Sequence, residues 1–291
     1  VVIPGIAMLD RLIRAKALQP SQMLGYQQAS EYDPQLLKQL AAVDPGNRYA
    51  VPYAWGTTGL AFNRTAIEKR LANPPLDSFD LLFKPEYASQ LKDCGIAIID
   101  SPQEVLSIAL HTLGKNPYGA SASDLAEAGQ LLNTLRPNLR YIAFGKQTSD
   151  LANGDLCLAL TYNGDALTAN AQANDAGKPY SIEYRIPREG TLAWVDTLAI
   201  PADAPHPDEA KTLIAFLTNA TAMAELTNTI YYANANQASA TLISPELRNN
   251  ATLFPPAAAR ATLFGEEPLS GKTIRERTRL WASFRSQVSQ D

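Results

Sequence analysis

The chain has 291 residues, of which 46% are hydrophobic and 19% are charged, and its formal net charge at pH 7 is −4. The length favours about two domains, and the composition is typical of a globular protein with a large core. The acidic balance is unfavourable for a surface that neutralises phosphates, and no run approaches the roughly 20 apolar residues that span a bilayer. We therefore expect neither nucleic-acid binding nor membrane insertion.

The first five residues, VVIPG, form an apolar run that ends at a turn. Such a run is typical of a parallel strand that is buried on both faces. A domain seldom begins inside its own core, and no signal-peptide pattern opens the chain. We therefore expect either that other residues once preceded this run or that the chain is a fragment, and that any leader has been removed.

Apolar strands then alternate with helices. The run 51–63 is rich in β-forming residues and contains turn residues, and the run 180–190 alternates in polarity. Both could be strands that cross between two lobes. The segment GIAIID predicts a strand that leads into a helix over 101–114, with Ser101 as the N-cap and a proline at the first helical position.

A second strand and helix are predicted over 191–204 and 206–219, with Leu213, Ile214, Phe216 and Leu217 on one apolar face. The stretch 233–270 is rich in Ala, Asn and Pro and predicts loops and short helices. The alternation of strands and helices indicates an α/β fold with mainly parallel sheets.

The two cysteines, Cys94 and Cys157, lie in apolar, strand-like settings. They could be buried free thiols or a disulfide that closes a loop of about 60 residues in an oxidising compartment. Their spacing alone leaves both alternatives open. The two histidines, His111 and His206, have no ligand-spaced neighbours, so we expect neither a metal site nor another cofactor.

The chain lacks the usual catalytic motifs. It has no nucleophile elbow, no zinc-protease motif and no dinucleotide fingerprint. The run GEEPLSGKT at 265–273 resembles a phosphate-binding loop, but five residues separate its glycines where that motif has four. We therefore do not expect an enzyme.

The remaining candidates for a functional site are carboxylates beside aromatic residues. Asp196 follows Trp194 by two residues in a predicted strand, so both side chains point to the same face. A carboxylate amid LAWV and TLAI needs a partner if it is buried. Asp165 follows Tyr162 by three residues, although an Asn-Gly turn with a solvated aspartate is the simpler alternative.

Two further residues have ordinary structural alternatives. Glu104 fits a capping box that reaches back to the backbone of Ser101, and Tyr232 could simply pack its ring. Aromatic faces attract cations, and carboxylates bind ammonium groups through charge-assisted hydrogen bonds. Acids and rings without a nucleophile or a metal indicate a binding site for an organic cation, for which a crevice between two α/β lobes is a usual container.

Six motifs, in this order, carry a family resemblance: VPYAWGTTGLAFN, DSPQEV, SDLANGDLCLAL, NGDA, WVDTLAIPADA and YYANANQA. They resemble the periplasmic polyamine-binding proteins of bacterial ABC importers, above all those for putrescine and spermidine, from residue 1 to about residue 285. The resemblance implies a type II periplasmic binding protein fold, in which two α/β lobes hold a ligand cleft between them and close by a hinge.

The same resemblance implies lobe boundaries and partners. Lobe 1 is expected to contain 1–62 plus 189–228, and lobe 2 to contain 63–188 plus 229–291 with the C-terminal helices. The expected partners are a polyamine ligand and the permease of an ABC importer, and we expect a periplasmic monomer.

The resemblance also assigns residue roles. Glu104 matches the acidic ligand contact at the start of a helix, Tyr162 stands where the family usually has a tryptophan, and Cys94 and Cys157 match a disulfide of close relatives. The full set of ligand contacts that the resemblance implies is Glu104, Tyr162, Asp165, Trp194, Asp196 and Tyr232.

Two departures from the family qualify this expectation. The family opens with an aromatic stretch similar to YNWSDY that supplies part of the ligand cage, and this chain begins after it. Gly5 stands where relatives typically have a serine near the ligand. A polyamine sensor and a degenerate relative that no longer binds polyamine therefore stay as alternatives to the transport receptor, and an enzyme is the least supported.

Overall fold

The computed structural model describes residues 1–21 and 29–286. The chain forms two compact units, and each is assembled from three separate segments. Unit 1 contains Val1–Gly56, Ala193–Phe254 and Gly265–Pro268, and unit 2 contains Thr57–Leu192, Pro255–Phe264 and Leu269–Asp291.

Strands and helices alternate through most of the chain, as the sequence predicts for an α/β fold. The strands are β1 (Ala50–Asn63), β2 (Ile96–Ile99), β3 (Tyr141–Ala143), β4 (Leu158–Tyr162), β5 (Ile182–Arg185), β6 (Ala193–Ala199) and β7 (Ala233–Asn234). The helices are α1 (Ile6–Arg14), α2 (Pro34–Ala41), α3 (Arg64–Glu68), α4 (Asp80–Phe83), α5 (Pro85–Leu91), α6 (Pro102–Thr112), α7 (Ala122–Leu135), α8 (Lys146–Asn153), α9 (Asn163–Asp175), α10 (Pro207–Leu217), α11 (Ala220–Ile230), α12 (Pro245–Arg248), α13 (Ala257–Arg260) and α14 (Gly271–Arg285).

The sheet of unit 2 has the strand order β3-β2-β4-β1-β5. β2 pairs in parallel with β3 and β4, whereas β1 pairs antiparallel with β4 and β5. The prediction of mainly parallel sheets is thus correct for β2, β3 and β4, which helices connect, and wrong for β1. β1 is the strand through which the chain enters unit 2, so it is not part of the strand and helix alternation.

A disulfide joins Cys94 to Cys157 within unit 2, with their Cα atoms 5.5 Å apart. Cys94 follows α5 and Cys157 directly precedes β4, so the bridge ties the helix to the sheet. This confirms the disulfide that the family resemblance implies and excludes the alternative of two free thiols.

Unit 1 is built on the first half of β1, which pairs with β6 and β7. Its core contains Ile6 and Leu9 of α1 with Trp55 and Val195. Val2 pairs antiparallel with Ala199 at the end of β6.

The first residues and one helix of unit 1 depart from expectation. The predicted buried parallel strand at 1–3 is wrong, because the pairing is antiparallel and Val1 and Ile3 are 41% and 56% exposed. In α10 the helical repeat buries Ala210 and Ile214, whereas Phe216, two residues after Ile214 and therefore on another side of the helix, is 64% exposed. The predicted apolar face of α10 is therefore only partly buried.

Residues 57–62 and 189–192, which the sequence placed in the first lobe, lie in unit 2, and residues 265–268, which it placed in the second lobe, lie in unit 1. The largest difference concerns residues 229–254, which were also placed in the second lobe but belong to unit 1. β7 pairs Ala233 with Trp55 and Asn234 with Ala54, which lie in the unit-1 half of β1. This pairing draws the segment into unit 1. As predicted, 233–270 consists mainly of loops and short helices.

Candidate functional site

Three of the six predicted residues lie in unit 2, and all three lie at or after the carboxyl ends of parallel strands. Tyr162 is the last residue of β4, Asp165 lies in the first turn of α9 behind it, and Glu104 lies in the first turn of α6, which follows β2. β2 and β4 are neighbours in the sheet, so their ends meet at one edge. In open α/β sheets this edge is where ligands bind.

Glu104 is the centre of a hydrogen-bond cluster. Its Oε1 accepts from the Ser101 hydroxyl at 2.7 Å and the Tyr162 hydroxyl at 2.9 Å, and its Oε2 accepts from the Thr58 hydroxyl at 2.8 Å. Burial raises the pKa of Glu104, and the three hydroxyls oppose that shift. The carboxylate thereby fixes the ring of Tyr162 against β1 and α6.

This geometry corrects two of the structural alternatives. The capping box is wrong, because Glu104 accepts from the side chain of Ser101 rather than capping its backbone. The Asn-Gly turn is also wrong, because Asn163 begins α9 and its Oδ1 accepts from the backbone N–H of Thr57 at 3.2 Å. Asp165 is therefore a partly buried residue of a helix rather than a solvated turn residue.

The other three predicted residues lie in unit 1. Along β6, Ala193, Val195 and Thr197 are buried, while Trp194 and Asp196 are partly exposed. This alternation confirms that ring and carboxylate share one face of the strand.

Two residues of unit 1, Tyr232 and Gly5, contact the residues of that face. The ring of Trp194 packs edge-on against Tyr232, with 5.3 Å between ring centroids and 68° between ring planes. Asp196 pairs with Gly5 in an isolated antiparallel bridge. The edge-on contact gives the two rings a defined orientation relative to each other.

A second carboxylate, Glu266, lies beside Asp196. A Cβ placed on Gly5 would lie 3.2 Å from Glu266 Oε2 and 3.8 Å from Asp196 Oδ1. Glu266 Oε2 also accepts from the backbone N–H of Ile6, 3.1 Å away, at the start of α1. Two acids thus converge on Gly5, and the absence of a side chain there gives Glu266 its room.

Sequence reasoning missed both Glu266 and Thr58. The GEEP run shows two adjacent acids, which is a signal of a charged surface but gives no partner. Thr58 carries no signal, since a threonine in a strand is ordinary.

In the described part of the chain, no three His, Cys, Asp or Glu side chains are grouped so that they could hold a metal ion. Across residues 1–21 and 29–286, no helix has the length and apolar character needed to cross a bilayer.

A chain of two α/β units whose candidate residues are acids beside rings has the organisation of a solute-binding protein. The sequence profile of the family described as "Bacterial extracellular solute-binding protein" matches residues 1–255. The chain belongs to this family.

Curated relatives show which members of the family the chain resembles. The putrescine-binding periplasmic protein PotF of Escherichia coli is 39% identical over 287 residues, which cover 98% of this chain and 78% of PotF. The putrescine/agmatine-binding protein of Pseudomonas aeruginosa is 38% identical over 287 residues, with the same coverage of 98% and 78%. These relatives confirm the resemblance to periplasmic polyamine-binding proteins.

Solved structures show the fold. The chain matches a putative spermidine/putrescine ABC transporter protein from Listeria monocytogenes with a TM-score of 0.83 and 23% identity, over 97% of this chain and 82% of the other. It matches the substrate-binding protein PotD from Streptococcus pneumoniae with a TM-score of 0.81 and 23% identity, over 99% and 83%. The predicted fold class is confirmed.

Proposed function

We propose that the chain binds a polyamine, putrescine or spermidine, and delivers it to the permease of a bacterial ABC importer. The observation that carries the proposal is the face of β6, where Trp194 stands beside Asp196 and a second carboxylate, Glu266, converges on the same point. Carboxylates bind ammonium groups through charge-assisted hydrogen bonds, and an aromatic face attracts the same cation. A ring and carboxylates on one face therefore suit a ligand that carries ammonium groups.

The six predicted residues have distinct roles in this proposal. Asp196 and Asp165 accept hydrogen bonds from ammonium groups, and Trp194, Tyr232 and Tyr162 contact the methylene chain and the cationic ends. Glu104 adds negative charge while holding the Tyr162 hydroxyl.

The relatives support the biological setting. Those that match over nearly the whole chain carry names that specify periplasmic putrescine binding or putrescine/agmatine binding. We propose the same compartment, a permease as partner, action as a monomer, and ligand release without turnover.

Isothermal titration with putrescine and spermidine tests the proposal on matched variants. Asp196→Asn should cost about 2–5 kcal/mol of binding free energy if the carboxylate meets an ammonium, and Trp194→Ala about 1–3 kcal/mol. Asp203→Asn removes an exposed acid just beyond β6 in the same unit and should change the Kd by less than about twofold. Wild-type affinity in Asp196→Asn would contradict the assignment.

A further inference from the structure

Unit 2 presents a large, exposed apolar side chain that is not among the six predicted residues. Phe144 is 70% exposed, the largest exposed fraction among the large hydrophobic residues described. It directly follows β3, just as Tyr162 ends β4 and Glu104 follows β2. The strand order β3-β2-β4 therefore brings all three to the same edge of the sheet.

The ring of Phe144 contacts the ring of Tyr162. Their centroids are 6.1 Å apart and their planes are inclined by 67°. β3 and β4 flank β2, so their axes are about 10 Å apart. The two rings thus reach toward each other across the end of β2, where α6 begins and presents Glu104.

The backbone beside Phe144 is fixed. The side chain of Gln147 is buried, and its Nε2 donates to the carbonyl oxygens of Ala143, at 2.7 Å, and Ile98, at 3.0 Å. Gly145 adopts a φ of 82°, which a residue with a side chain rarely adopts, and turns the chain into α8. Phe144 is thus held exposed by a defined turn.

We propose that Phe144 is a further ligand-contacting residue, whose ring extends the Tyr162 surface and packs on the methylene chain or an ammonium group of the bound polyamine. This inference rests on the proposed function. The Tyr162 hydroxyl donates a hydrogen bond to Glu104, so the Phe144 ring contacts a ring that is held at its far end. A cation or a methylene chain on paired rings gains from both of them.

The test is isothermal titration of wild type, Phe144→Ala and Phe216→Ala with putrescine and with spermidine. Phe216 is a matched control, because it is 64% exposed and lies on α10, a helix that carries none of the six predicted residues. Phe144→Ala should raise the Kd about 3- to 30-fold for the ligand that wild type binds more tightly. Phe216→Ala should leave it within about twofold, and both variants should keep the melting temperature.

A cycle with Tyr162→Ala separates direct contact from support of Tyr162. If Phe144 touches the ligand, Phe144→Ala weakens binding again in the Tyr162→Ala background. No further loss in that background, or a Kd of Phe144→Ala within twofold of wild type for both ligands, overturns the inference alone. Wild-type protein that binds neither ligand overturns the proposed function as well.

Discussion

Two replacements of Glu104, by Ala and by Gln, separate the effect of its charge on stability from the effect of its hydrogen bonds. The carboxylate accepts from hydroxyls on three different parts of unit 2, Thr58, Ser101 and Tyr162. A hydrogen bond to a charged group contributes about 1.5–3 kcal/mol. Because the freed hydroxyls can bind water in its place, we expect Glu104→Ala to lower the free energy of unfolding by about 3 kcal/mol, less than three independent bonds would give.

Glu104→Gln keeps the shape and removes the charge. Its Oε1 still accepts from Ser101 and Tyr162, and its Nε2 donates to the Thr58 hydroxyl, which reverses the sense of one bond. Burial is the largest cause of the raised pKa of Glu104. The neutral amide avoids that desolvation, so the free energy of unfolding at pH 7 should stay within about 1 kcal/mol of wild type or exceed it.

The pH dependence follows from the direction of the shift. Since the folded pKa is raised above the ordinary glutamate pKa of about 4.3, the stability that Glu104 contributes is complete below that ordinary value. It is lost as pH rises through the raised folded pKa. The difference in unfolding free energy between Glu104→Gln and wild type should therefore move in favour of Gln between pH 4 and pH 7.

Urea unfolding followed by circular dichroism at pH 4, 5.5 and 7 measures these differences. Glu86→Gln is the control, because Glu86 also lies in the first turn of a helix of unit 2 but is exposed. It should show no comparable change with pH. Equal losses in Glu104→Gln and Glu104→Ala at pH 7, or a pH-independent difference from wild type, would refute the reasoning.

Three further predictions concern other parts of the chain. Reducing the bridge between Cys94 and Cys157, which are 63 residues apart, should lower the free energy of unfolding by about 4 kcal/mol, seen as a lower melting temperature with dithiothreitol; an unchanged melt of fully reduced protein would contradict this. Arg277 is fully buried and donates to one hydroxyl and two backbone carbonyls, so Arg277→Ala should cost about 3 kcal/mol in urea unfolding, whereas a cost near zero would show that the bonds contribute little. Glu266→Gln still accepts from the Ile6 N–H and should keep stability, while polyamine binding weakens about fivefold; unchanged affinity would place Glu266 outside the site.

Local patterns in the sequence were sufficient for much of the secondary structure and for part of the site. The period-two alternation of a strand placed Trp194 and Asp196 on one face of β6, as the structure shows. The serine and proline at the start of α6 and the glycine after it marked that helix correctly. These features depend on neighbours within a few residues, which a single sequence displays.

Contacts between residues far apart in the chain could not be predicted from the sequence. Glu104 meets Thr58 and Tyr162, which lie 46 and 58 residues away, and the pairing exists only because the ends of β1, β2 and β4 are brought together. Glu266 reaches the backbone of Ile6 across 260 residues. The prediction of parallel pairing was wrong for β1 for the same reason, because the direction in which a strand pairs is a property of the whole sheet.

Direct binding by the wild-type protein tests the central claim. The protein would be stripped of ligand by unfolding and refolding with its disulfide intact, and titrated calorimetrically with putrescine, cadaverine, spermidine and spermine, with lysine as a control. We predict saturable binding of at least one polyamine and none of lysine. Flat traces with all four polyamines, from protein shown by circular dichroism to be folded, would contradict the proposed function.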